Sequence, residues 1–545
     1  MRPTLAKAML PVAVLAVLAS EAGAAPPVGP GMYFTAWQEA NAREAEPHPT
    51  EFQLINYFFT RATYTNQVAD PSGLRGVSLG PIGIGEGVGS ATRVGAETTT
   101  YVEQRWIPVL AYSPLFVDGL ATFRAQFEVD YTWGQAANQI QNNQGGGLNA
   151  DQVNIQTKNV NVAIYPLRNP FALSIILGTQ PLYDNVADPT VTSLFDIVKT
   201  GYKLAFMGSD ATGVSVYSSL GGRWKASFIP IGAGQPDKAT DNDPRLSYAY
   251  LLTADYAYDV APGTTIGASV WHLRDDTDGS AFAYEGLVKS GPSSTGLFPY
   301  TGVADLDIEN ASGAVTWLGL NFNHNIHFRT GDFAATGFFM LDTGHFDSKK
   351  DATQLNESLD LLGYAANLEL LYNYGKTTGD LITLEGMYTS GDDDVRDDKY
   401  TGVFTLNHYG LPGAVWFNHK TLLLFPFTST VSNYTGAVTD ISNRGYGLQT
   451  AILTASKDLV PDTLTLKLGT AVARSDADPP PSPDNVRRGR TLGAEFNAEL
   501  LWQIRYLMTV GLHAGYLAVG DFYDVNLQVD ANPYAVFSTF TWYGF

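Results

Sequence analysis

Between Leu120 and Trp133 every second residue is apolar or aromatic. Phe123, Ala125, Phe127, Val129, Tyr131 and Trp133 share one parity; Thr122, Arg124, Gln126, Glu128, Asp130 and Thr132 share the other. A β-strand turns successive side chains to opposite faces, so this dyad predicts one greasy and one polar face. Glu495 to Tyr506 has the same pattern, with Phe496, Ala498, Leu500, Trp502, Ile504 and Tyr506 set against Glu495, Asn497, Glu499, Gln503 and Arg505. Gly222 to Ile229 opposes Trp224, Ala226 and Phe228 to Arg223, Lys225 and Ser227, and Tyr364 to Tyr374 and Ile382 to Tyr388 alternate likewise. A soluble sandwich also alternates, but it buries small aliphatic residues. Here the apolar parity is rich in Trp, Tyr and Phe near strand ends, as a lipid-facing belt requires.

The connections alternate in length. Asp259 to Gly263, Gly375 to Asp380 and Lys457 to Asp462 read as tight turns. Between them lie long polar stretches: Arg274 to Asn310, Gly344 to Asp360, Gly391 to Arg444, Ser475 to Arg490 and Asp521 to Asn532. Short turns on one side and long loops on the other are the rhythm of a transmembrane antiparallel β-barrel, with periplasmic turns and extracellular loops. The pattern predicts strands at 52–64, 101–113, 120–134, 151–165, 170–178, 200–207, 212–230, 246–258, 264–274, 311–323, 333–344, 360–374, 380–390, 446–457, 463–474, 491–505, 508–519 and 534–545. That makes about eighteen, an even number that leaves both termini on the periplasmic side; sixteen is the alternative count, because 52–64 and 212–230 are the least regular segments.

The two ends agree with this. Arg2 and Lys7 precede an apolar run from Ala8 to Ala19 and the small residues Ala22-Gly23-Ala24, the layout of a removed secretory signal. No stretch supplies the ~20 apolar residues of a membrane helix. We therefore expect a signal peptide over 1–24, a periplasmic lead-in over 25–51 and an all-β barrel over 52–545. A closed barrel has no free edge, so the last strand must pair with the first. The chain ends Phe537-Ser538-Thr539-Phe540-Thr541-Trp542-Tyr543-Gly544-Phe545. Phe545, Tyr543 and Phe537 resemble the terminal signal that bacterial barrels present to the barrel-assembly machinery, while Thr541 and Thr539 depart from it.

Composition narrows the class further. Only 16% of residues are charged, against about a quarter in soluble domains, because half of each strand faces lipid. A net charge of −21 argues against nucleic acid, which demands a basic face. With no Cys the chain has neither a lipoprotein anchor nor disulfides, and no cofactor is expected.

Candidate chemistry is sparse. Gly80-Pro-Ile-Gly-Ile-Gly-Glu-Gly-Val-Gly89 lacks the fingerprint spacing and the Lys-Ser/Thr of a nucleotide loop, and reads as a flexible connection. Asp392, Asp393, Asp394, Asp397 and Asp398, and the run at Asp275, Asp276 and Asp278, lie in expected outer loops. Their oxygens suit calcium, although neither run fits an EF-hand loop, and a solvated surface or contact with lipopolysaccharide through divalent ions explains them equally. There is no G-x-S-x-G elbow, and His324 and His327 flank a turn without a nucleophile beside them, so an enzyme is not expected.

The polar parity carries the candidate pore lining: Arg105, Arg124, Glu128, Asp130, Lys203, Arg223, Lys225, Glu369, Glu385, Lys467, Glu495, Glu499 and Arg505, with Lys158 beside them. A file of cations draws anions through a pore, whereas cations paired with the acids simply stiffen the wall. The 391–444 loop, over 50 residues long and carrying the apolar run Leu422 to Phe427, either folds inward to constrict or cap the pore or packs on its neighbours.

Two stretches resemble alginate-export outer-membrane porins. Ile175-Ile176-Leu177-Gly178-Thr179-Gln180-Pro181-Leu182-Tyr183-Asp184 is similar to a strand of that family ending Leu-Gly-Arg-Gln before Tyr-Gly-Asp, with Thr179 in place of the Arg and no Gly before Asp184. Leu384-Glu385-Gly386-Met387-Tyr388-Thr389-Ser390-Gly391-Asp392-Asp393 is similar to its strand running into Ser-Gly-Asp at an outer loop. The resemblance implies an 18-stranded barrel with a cationic pore for an anionic polysaccharide. The expectation is a monomeric or trimeric Gram-negative outer-membrane channel, embedded in lipid and lipopolysaccharide, passing polar or anionic solutes or exporting a polysaccharide. The alternative is a structural or adhesive barrel with a blocked lumen and working surface loops.

Overall fold

The computed structural model describes residues 51–69, 92–133, 150–184, 186, 202, 207–231, 249–276, 312–347, 356–377, 379–394, 397–404, 406–407, 421–424, 443–479, 486–505, 507–524 and 529–544. The segments expected to be a signal peptide and lead-in, the glycine run at 80–89, Lys203, Asp278 and Phe545 lie outside them, as do the side chains of Lys158 and Asp130. The strands are β1 (Phe52–Ala69), β2 (Thr92–Tyr112), β3 (Ala121–Trp133), β4 (Ala150–Ile164), β5 (Leu173–Tyr183), β6 (Met207–Ser218), β7 (Arg223–Pro230), β8 (Ala249–Ala261), β9 (Thr264–Asp275) and β10 (Ser312–His324). They continue as β11 (Phe333–Asp347), β12 (Ser358–Asn373), β13 (Leu381–Thr389), β14 (Lys399–Tyr400), β15 (Leu406–Asn407), β16 (Leu448–Val460), β17 (Leu464–Arg474), β18 (Thr491–Arg505), β19 (Met508–Val519) and β20 (Tyr534–Gly544).

Eighteen of these form the wall, each antiparallel to its neighbours in chain order, with β13 passing directly to β16. The sheet closes on itself, because β1 pairs with β20 from Asn56↔Gly544 to Thr65↔Ala535. No wall strand is left with a bare edge. Eighteen strands spaced ~4.8 Å apart and tilted by ~40° give a backbone diameter of about 35 Å, too wide for side chains from the wall alone to fill. The short connections, such as Pro262–Gly263 and Pro461–Thr463, fall at one end and the long ones at the other.

The sequence placed eighteen strands, and one of its segments is divided differently. The single strand expected at 212–230 is two, β6 and β7, parted by a turn over 219–222, while the strand expected at 200–207 lies, apart from Tyr202 and Met207, outside the described residues. Gly221 and Gly222 make that turn with φ of +74° and +120°, a left-handed conformation that costs glycine nothing.

Parity sorts the wall as expected. On β8 the outward residues Leu252, Tyr256 and Tyr258 are exposed while Leu251, Thr253, Asp255 and Ala257 are buried inward. Trp106, Phe123, Phe228, Leu320, Leu384, Phe496, Trp502 and Trp542 extend the greasy exterior around the barrel. A continuous apolar surface of this size is compatible with lipid and not with water. On the terminal strand Phe537 and Tyr543 are buried with the inward threonines Thr539 and Thr541, and the lipid face is Val536, Phe540 and Trp542.

Candidate functional site

The lumen changes character along its height. Its lower half is polar, and several of its charges are matched across neighbouring strands. Lys225 on β7 lies directly opposite Asp255 on β8, and Nζ reaches the carboxylate at 2.9 Å with both side chains buried. Lys467 on β17 faces Glu499 on β18 at 2.7 Å, and the other Glu499 oxygen meets His513 Nδ1 on β19 at 2.8 Å. Arg105 pairs with Glu128 at 3.1 Å. Arg124 donates to the Tyr165 hydroxyl at 3.0 Å. At the periplasmic end Arg223 binds Asp259 at 2.8 Å and remains half exposed, while Arg505 is exposed at the foot of β18. Glu369 and Glu385 are buried and directly opposite in register, and Asn367 donates to Glu385 at 2.7 Å. Unpaired ions in low dielectric are costly, and direct cross-strand pairing is how a wall holds them.

The upper half is apolar. Leu251, Trp271, Leu273, Val315, Trp317, Met340, Leu361, Ile452, Leu492 and Leu517 all face inward and join one hydrophobic cluster. What completes that cluster is the 391–444 loop: Tyr400, Val403, Phe404, Leu422, Leu423 and Leu424 are buried within it. In the upper lumen the loop thus supplies an apolar partner to the inward side chains of the wall.

Three anchorages hold the loop. Near its start β14 pairs with β12, the Phe404 N–H donates to Asp342 of β11 at 3.3 Å, and the Trp317 indole of β10 donates to the Phe404 carbonyl at 3.0 Å. Then β15 pairs with the top of β6 through Leu406↔Met207 and Asn407↔Gly208. Finally the N–H groups of Leu422, Leu423 and Leu424 converge on the Glu495 carboxylate of β18 at 2.6, 3.1 and 2.7 Å. Three wall strands lie between the β6 and β10–β12 anchorages, three between the latter and β18. The described parts of the loop thus touch strands well spread around the ring. Glu495 is thus a loop anchor, not a wall ion-pair partner or a free pore charge.

A second loop contributes Tyr202, between β5 and β6. Its ring packs edge-on against Trp271 and Phe338, with centroids 5.2 and 5.6 Å away, and burial pushes its hydroxyl pKa well up. Its hydroxyl sits over Gly319, where an added Cβ would lie 2.1 Å from the oxygen.

The acidic run serves the loop's own turn. Asp392 is buried and accepts the N–H groups of Asp394 at 2.8 Å and Thr401 at 2.7 Å; burial pushes its carboxyl up, against the pull of those donors. Asp397 accepts the Lys399 N–H at 2.8 Å. Among the described residues no three His, Asp or Glu side chains are placed to hold a metal ion.

Sequence reasoning passed over Asp255, Asp342, His513, Tyr202, Trp271 and Trp317. Asp342 had a signal: it is a lone acid on the inward parity of Phe338 and Met340 in an otherwise apolar run. The partners of Tyr202 carried none.

No protein-family model matches the chain, and no curated protein matches it. Similar solved structures include OccAB4 of Acinetobacter baumannii, at 10% identity and TM-score 0.45, covering 91% of this chain and 100% of that one. OpdL of Pseudomonas aeruginosa gives 10% identity and TM-score 0.43 over 91% and 99%. The outer membrane protein OpdK of the same species gives 13% and 0.42 over 90% and 98%.

Proposed function

We propose that this protein is an outer-membrane channel for the passive passage of small polar solutes, anions among them. The observation that carries the reading is a closed ring of eighteen membrane-length strands with a greasy exterior around a lower lumen lined by charge. Barrels of 16–18 strands are wide enough to hold an aqueous channel. Its inner charges are held largely in pairs, which favours a pore of mixed polarity over a cationic track. Polysaccharide export is not carried forward: the residues resembling alginate-export porins are few, and Thr179 sits on the outward parity, its hydroxyl 2.8 Å from that of Thr212.

A specific observation favours a second reading. The apolar cluster in the upper lumen suits a barrel that is blocked at rest, with its outer loops doing the work. Planar-bilayer recording of refolded protein separates the two. Stepwise conductance that scales with salt supports the channel. A correctly folded barrel with no current above background removes it and leaves the occluded barrel.

A further inference from the structure

The lipid-facing side of the barrel carries a groove of about 700 Å³ between β12, β13, β16 and β17. Its floor comes from the register: Leu368, Gly386, Ala451 and Val472 stand side by side across four strands, and two small residues occupy the centre of that row. The row beneath is Leu370, Leu384, Leu453 and Thr470, so the depression is local to an otherwise leucine-rich wall. Space above the floor is real, since a Cβ built on Gly386 would meet nothing nearer than the Thr450 carbonyl oxygen at 3.9 Å.

The upper end of the groove is polar. Tyr388, Gln449 and Arg474 form the next row, within one residue of the loop-side ends of β13, β16 and β17. Tyr388 stacks on Tyr364 at 5.4 Å between ring centroids and donates to Asp476 at 2.8 Å, and Gln449 donates to the other Asp476 oxygen at 2.8 Å. Those partners use up the carboxylate. Arg474 is exposed and makes no ion pair among the described residues, although the whole chain carries a net charge of −21. Arg490 on the adjacent loop is already taken by Asp478 at 2.5 Å. A free guanidinium above an apolar trough, at the level of an aromatic girdle, matches a lipid with a phosphate at its head and a saturated chain below.

We infer that this groove is a binding site for lipopolysaccharide of the outer leaflet, one acyl chain lying over Gly386 and Ala451 and a phosphate on Arg474. The long-loop end of a barrel faces the cell exterior, where the leaflet lipid is lipopolysaccharide. The inference rests on the outer-membrane reading but not on conduction. Its test uses the full mature chain in detergent, stripped of lipid and titrated with purified rough-type lipopolysaccharide, with bound lipid counted by native mass spectrometry. Arg474→Gln and Gly386→Leu are each expected to lower retention at least fivefold, and Ala451→Leu serves if Gly386→Leu loses the heat-modifiable folded band. Equal retention by the parent and the folded variants overturns the site. So does retention of added phosphatidylethanolamine as strong as that of lipopolysaccharide, or a protein dimer that excludes lipid. Absence of the protein from outer-membrane fractions would instead defeat the membrane reading itself, a result separable from any of these.

Discussion

The strongest handle on the barrel is Glu495. Three consecutive amides, those of Leu422, Leu423 and Leu424, end on its carboxylate, and all four residues are buried. Glu495→Ala removes every acceptor at once. A buried donor left without a partner costs about 1–3 kcal/mol, so three give a raw penalty of about 3–9 kcal/mol. The full sum is never reached, because the segment escapes by leaving the wall and hydrating its amides. Undocking exposes Leu423 and Leu424, at about 1.5–3 kcal/mol each, and that sets the ceiling. A shift of about 3 kcal/mol toward the undocked loop survives both bounds, or about a hundredfold in the docked-to-free ratio. Glu495→Gln keeps one acceptor oxygen with two lone pairs and should fall between parent and Ala. The assay is single-channel recording in planar bilayers, with folding verified by the heat-dependent electrophoretic shift. Glu495→Ala should raise mean conductance or open time severalfold, and Glu495→Gln should raise it less. If all three folded proteins give superimposable traces, the loop does not govern the pore and the argument from its anchorage is wrong.

Further outcomes follow from the wall, the turns and the packed loops. Lys225→Met strands Asp255 in a buried site, so the barrel should lose about 3–5 kcal/mol in urea unfolding while its anion-to-cation permeability ratio hardly moves; a selectivity change without a stability loss would make Lys225 a solute-facing charge. In the periplasmic turn, burial opposes ionisation of Asp380, but Lys457 at 3.0 Å and the N–H groups of Asp458 and Lys376 outweigh it and hold the carboxyl below its ordinary 3.8. Its stabilising contribution is then fully present above pH 3.8 and is lost as pH falls through the depressed value, so Asp380→Asn should flatten the acid limb of a stability–pH profile and leave the profile above pH 5 parallel to the parent's. Gly319→Leu should expel Tyr202 from beneath Trp271, seen as a shift in tryptophan emission; an unchanged spectrum in a folded variant would contradict the packing.

Parts of this molecule were legible in the sequence because lipid imposes a strict rule. Most outward positions within the bilayer must be apolar, so Phe123 to Trp133 or Phe496 to Trp502 announce both strand and face. The inward parity obeys no such rule. Lys225 and Asp255 look alike whether they line water or bond each other, and only the register that sets them opposite one another decides it. The error at 212–230 has a similar origin: apolar alternation runs on both sides of the Gly221–Gly222 turn, and nothing in the period marks the break. The landing of Leu422 to Leu424 on Glu495 spans 71 to 73 residues and has no local signature. The length and apolar run of the loop were visible; its destination was not.

The apolar upper lumen and the docked segments of the 391–444 loop require each other. A ring about 35 Å wide cannot bury Trp271, Val315, Trp317 or Leu517 with its own side chains, because residues on opposite walls are too far apart to touch. Left facing water, that patch would make the barrel's mouth a sticky surface. Phe404 and Leu422 to Leu424 cover it, and the polar anchors Asp342 and Glu495 sit within the apolar zone, each accepting backbone N–H groups of the loop. Apolar cover is adaptable, whereas a buried carboxylate must have its donors. The carboxylates therefore fix the position of the loop while the leucines and aromatics supply its adhesion. Release of the segment would leave these buried carboxylates to be hydrated together with the amides they accept, so position and adhesion are lost or kept as one.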